Sequence, residues 1–138
     1  MTNEKVFAMS FAKVYPMLIA KAERKGRTRD EVLFITEWLT GYTNERLEEL
    51  LDSDITYGDF FRNAPAMNPA RTQIMGSVCG VRVETIEDPL MREIRYLDKL
   101  VDELARGKPM DLFDKLELSK IVRPYRLLFF LLLLKQYL

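Results

Sequence analysis

The chain has 138 residues, 48% hydrophobic and 30% charged, with 21 basic residues against 21 acidic ones, a single cysteine and no histidine. That length fits one domain able to bury a core without staples, and the zero net charge gives no global pull toward nucleic acid or an anionic membrane, leaving only local patches to act. Without histidine there is no Ser-His-Asp or Cys-His arrangement, no imidazole base near neutral pH and no Cys/His zinc site.

The elements follow from their punctuation. Ser10 can cap a first helix from Phe11 to about Lys25, with Gly26 as its stop. Pro16 either kinks that helix or marks its true start. Thr28 and Glu31 form a capping box. The helix it opens spaces Val32, Ile35 and Leu39 on one face, with Trp38 nearby, and Gly41 ends it. Thr43 caps a short helix with Leu47, Leu50 and Leu51 on one side. Thr56 with Asp59 marks a further capped turn holding Phe60 and Phe61. Residues 64–69 read as loop.

Residues 70–83 are two-sided. Val78, Val81 and Val83 favour a strand, whereas Ile74, Met75 and Val78 fit one helical face. Gly76 and Gly80 weaken both readings, and the expectation is a helix over residues 70–79. The firmest element is residues 88–107: Asp88 as N-cap, Pro89 at the first helical position, then Leu90, Ile94, Leu97, Val101 and Leu104 at steps of three and four. Its other face carries Arg92, Glu93, Arg95, Asp98, Lys99, Asp102 and Glu103, with Lys99 and Glu103 spaced for an ion pair. Gly107 closes it and Pro109 bars its continuation. An amphipathic stretch, residues 110–122, follows. After Pro124 come eight consecutive apolar residues, Leu127–Leu134.

Eight helical residues rise about 12 Å, far short of the roughly 30 Å hydrocarbon core of a bilayer, so no membrane span is expected. A helix apolar on every side is surrounded by its own domain, covered by a partner, or set as a shallow membrane anchor, although it lacks the polar face such anchors need. Lys21, Arg24, Lys25, Arg27 and Arg29, opposed by Glu23 alone, could grip phosphate, or could be a solvated helix end complementing the helix dipole. The two helices joined at Gly41 resemble a helix-turn-helix, but the second bears three glutamates and one arginine, which favours a plain antiparallel pair over a DNA reader. Asp52 and Asp54 open no calcium loop, because Tyr57 stands where glycine is needed and Asn63 where glutamate is. Residues 76–80 lack the lysine of a phosphate-binding loop.

Asn68, Arg71, Cys79, Arg82 and Glu84, with Tyr42 facing them, form a possible polar pocket in the least regular part of the chain. Arginine there can clamp a carboxylate or phosphate, or can pair with Glu84, Glu87 and Asp88. Cys79, between valines and glycines, reads as an inert packing residue. A lone cysteine and a polar Met1–Lys5 stretch give the expectation of a cytoplasmic protein.

Several stretches are together distinctive: Val14-Tyr-Pro, Lys21-Ala-Glu-Arg-Lys-Gly-Arg-Thr28, Trp38-Leu-Thr-Gly-Tyr42, Asn68-Pro-Ala-Arg71, Cys79-Gly-Val-Arg-Val83 and Ile86-Glu-Asp-Pro-Leu-Met91. Over about residues 7–113 the chain resembles a bacterial family of small proteins catalogued as a conserved domain of unknown function. The resemblance implies a bacterial protein and brings no catalytic residue with it; residues 114–138 depart from the family pattern.

The expectation is an all-α single domain of five to seven helices, with residues 88–107 as the long central helix and an apolar C-terminal helix. It would act as a non-enzymatic binding or protein-interaction module that self-associates through Leu127, Phe129, Phe130, Leu131 and Leu134. Its ligand or partner surface is assigned to Arg24, Lys25, Arg27, Tyr42, Asn68, Arg71 and Arg82. No cofactor or metal is expected. The alternatives are a nucleic-acid-binding regulator using residues 21–29 and a small-molecule enzyme using arginine and carboxylate chemistry.

Overall fold

The computed structural model describes residues 2–107. The expected elements at residues 110–122 and 127–134, with the contact assigned to Leu127, Phe129, Phe130, Leu131 and Leu134, lie outside the described residues. Six α-helices are present among the described residues: α1 (Asn3–Phe7), α2 (Phe11–Glu23), α3 (Arg29–Thr40), α4 (Asn44–Leu51), α5 (Tyr57–Arg62) and α6 (Pro89–Ala105). A two-stranded antiparallel hairpin, β1 (Ser77–Val78) and β2 (Val81–Arg82), precedes α6. The fold is a mostly helical one, as the apolar periodicity requires.

Side-chain caps set most helix starts. Thr28 and Glu31 exchange both bonds of the capping box. Thr43, Thr56 and Asp88 each accept from the amide three residues on. Each such cap satisfies an amide that the helix itself cannot, worth about 1 kcal/mol. Ser10 stands at the N-cap position of α2 without a side-chain cap bond. Its backbone is fixed instead by a bridge to Thr56: the Phe11 amide donates to the Ile55 carbonyl at 3.0 Å, and the Tyr57 amide to the Met9 carbonyl at 2.7 Å. That bridge ties the starts of α2 and α5 together.

Pro16 sits inside α2 without ending it. It is exposed, and having no N–H it cannot donate to the Ala12 carbonyl. Gly41, at φ +79°, ends α3, and a Cβ there would lie 2.8 Å from that of Ala66. The close approach has a purpose: the amides of Ala66 and Asn68 donate to the carbonyls of Thr40 and Leu39 at 3.0 and 2.9 Å, satisfying the open end of α3.

The core between α2, α3, α5 and α6 is aromatic. The Phe11 ring lies 4.1 Å from Phe60 and 4.9 Å from Tyr15, and Tyr42 lies 4.7 Å from Phe60. Phe61 meets Phe60 and Tyr57 edge-on. Such offset and edge contacts add about 1 kcal/mol per pair beyond burial. Helix α6 closes this core with Ile94, Leu97, Leu100, Val101 and Leu104, all buried, and packs against α2, α3 and α5. It is the central element its periodicity indicated.

Residues 70–79 correct the expected helix. A 3-10 turn covers Pro69–Gln73, and residues 77–82 form the hairpin. The physical reason is the two-residue loop Cys79–Gly80, where both residues have positive φ, +53° and +77°. That pair matches the right-handed twist of flanking strands. Gly76, at φ +109°, turns the chain into β1.

A platform of polar ties and a basic edge

The assigned surface residues fall into two groups. Residues 68–86 form a platform laid along α6. Asn68 caps the 3-10 turn, its Oδ1 accepting from the Ala70 amide at 2.9 Å. Arg71 then reaches α6: its Nε donates to Glu93 at 2.8 and 3.1 Å, and its NH1 donates back to the Asn68 carbonyl at 2.9 Å. From the other direction Arg92 donates through Nε and NH2 to the Ile86 carbonyl. Ile74, Val78 and Val83 are buried beneath the platform.

Lys99 is the central tie and was misplaced by sequence reasoning, which set it on the solvent face of its helix. It is 6% exposed. Its ammonium meets Glu103 at 2.7 Å and donates to the Ser77 carbonyl at 3.0 Å. A Cβ on Gly76 would lie 3.2 Å from the Lys99 Cε and Nζ, so the glycine makes room for the lysine stem as well as turning the chain.

Glu84 fastens the platform internally. One oxygen accepts from the Gly76 amide at 3.0 Å, and the other from Arg82 at 2.9 Å. Its own backbone amide, then that of Gly76, then Arg82 hold its carboxyl down at about 2, since hydrogen bonds to the charged form favour it. Arg82 is therefore engaged by Glu84, as the pairing reading had it, while Arg71 takes Glu93 rather than Glu84, Glu87 or Asp88. The outer surface of the platform exposes Met75 (49%), Val81 (42%) and Cys79.

Tyr42 lies in the core: it is 6% exposed and its hydroxyl donates to the Phe60 carbonyl at 2.7 Å. Burial pushes its hydroxyl pKa up.

The basic edge is mostly neutralised from within. Lys21 pairs with Asp102 at 3.1 Å, Arg27 with Glu31 at 3.0 Å and Arg29 with Glu48 at 2.7 Å. The last pair joins the start of α3 to α4, as an antiparallel arrangement requires, and its hydrogen bond moves Arg29 up and Glu48 down. Arg106 approaches Asp102 at 3.1 Å as an ion pair, without the alignment of a hydrogen bond. Among the described residues Arg24 and Lys25 have no ion-pair partner, and both are exposed.

Some polar groups were invisible to sequence reasoning. The Tyr15 hydroxyl shares a 2.7 Å hydrogen bond with Thr36, which itself donates to the Val32 carbonyl. The Tyr57 hydroxyl is buried without a hydrogen-bond partner among the described residues, and desolvation drives its pKa well above the ordinary value. Desolvation by burial also raises Asp98, against the opposing effect of Arg95. No signal of spacing distinguishes these tyrosines from one another. Among the described residues, no group of three or more His, Cys, Asp or Glu side chains could hold a metal ion, and no helix is long and apolar enough to cross a membrane.

Fold and surface together define a small, mainly helical domain with an irregular platform fixed by charged ties. Residues 5–115 match the family described as an uncharacterized protein conserved in bacteria, DUF2200, and the chain belongs to that family. A search of curated proteins gives no match. The chain is also similar to a solved structure, that of the uncharacterized protein SP1917, at 53% identity and a TM-score of 0.79, over 84% of this chain and 96% of that one.

Proposed function

We propose that the protein is a non-enzymatic interaction module of the bacterial cytoplasm. The observation that favours this reading is the platform. Residues 68–86 form little regular structure, yet Arg71, Arg92 and Lys99 fasten them to α6. The outer surface so fixed presents Met75 and Val81 to water. Apolar side chains on a rigid support suit partner binding, because little conformational entropy is lost on contact. Arg71 and Arg82 are each engaged by a carboxylate of their own chain, so the enzyme alternative has less to draw on. Neutralisation of Lys21, Arg27 and Arg29 weakens the nucleic-acid alternative in the same way.

In this reading the module also self-associates, through the apolar run Leu127–Leu134. Light scattering on the full chain and on a full-length variant with Leu131→Glu and Leu134→Glu tests it. A mass above the monomer for the parent, reduced in the variant, is expected. Equal monomer masses end the self-association reading. For the platform, Met75→Glu with Val81→Glu is expected to abolish capture of a partner while leaving helical content unchanged, and unchanged capture by that variant would contradict the assignment.

A further inference from the structure

We draw no further inference here: the strongest candidate, the exposed apolar patch of Met75 and Val81 on the outer surface of the platform, belongs to the surface already described, and nothing among the described residues shows what covers it.

Discussion

Across residues 10–62 the backbone is fixed by rings and caps: Phe11 lies 4.1 Å from Phe60, and each of α3, α4 and α5 begins at a threonine that accepts from the amide three residues on. Across residues 68–86 it is fixed by charge: Arg71 on Glu93, Lys99 beneath Ser77, Glu84 on the Gly76 amide. The first region would collapse together in almost any surroundings, because apolar burial is non-directional. The second holds only while particular donors meet particular acceptors, since a buried polar group without its partner is destabilising. Stability should therefore depend on size in one region and on chemistry in the other.

The largest expected effect lies in the ring stack. Phe60→Ala, at a site with no exposure, should lower stability by about 3–5 kcal/mol, read as a shift of the urea midpoint at unchanged slope. A loss below about 1 kcal/mol would mean that the rings are not the common core of α2 and α5. Next is Lys99→Met, which keeps the apolar stem and removes the ammonium. It leaves Glu103 and the Ser77 carbonyl unpaired and should reduce stability by about 2 kcal/mol. Its effect should be regional, with faster amide exchange in residues 76–83 and little change in α3.

A finer contrast separates two buried tyrosines. Tyr15→Phe breaks the bond to Thr36 and should reduce stability by about 1 kcal/mol. Tyr57→Phe removes a hydroxyl that has no partner and should be neutral or slightly stabilising. Equal losses at the two sites would show that Tyr57 has a hydrogen bond after all. The gentlest effect is with pH. The Glu84 carboxyl titrates at about 2 in the fold, below its ordinary value of 4.5. A depressed carboxyl adds stability above its unfolded pKa and loses it as pH falls through the folded value. The amide resonance of Gly76 should therefore titrate with its midpoint at about 2, and Glu84→Gln should remove that titration.

What the sequence disclosed follows the same division. Thr28 with Glu31, Thr43, Thr56 with Asp59, and Asp88 with Pro89 act over three residues, so their spacing alone places the helices. The stripe of α6 is as local, and it correctly named the central helix. Helix α1 was missed because its one cap, Thr2, begins a stretch with no buried residue. The hairpin was missed because Ile74 and Val78 also stand four apart, as on a helix. The signal that could have found it is a two-residue loop ending in Gly80 between Val78 and Val81.

The surface was less legible. Arg71 and Arg82 were recognised as groups able to pair, and Arg82 found Glu84, two residues away. Glu93, the partner of Arg71, lies 22 residues on, where spacing gives no guidance. Lys99 reads as solvated because its neighbours on the helix are charged, and only the folded platform covers it. Tyr42 follows the turn at Gly41 and looks exposed until Phe60 is seen beneath it.

The most direct measurement is native-state hydrogen exchange at the Val83 amide, which donates to the Gly76 carbonyl at 2.9 Å. If charged ties fix the platform, that amide exchanges slowly in the parent protein, and Lys99→Met speeds it while the α3 amides stay protected. Free exchange of Val83 in the parent, or equal acceleration across α3 and the hairpin in the variant, would contradict a platform anchored by Lys99.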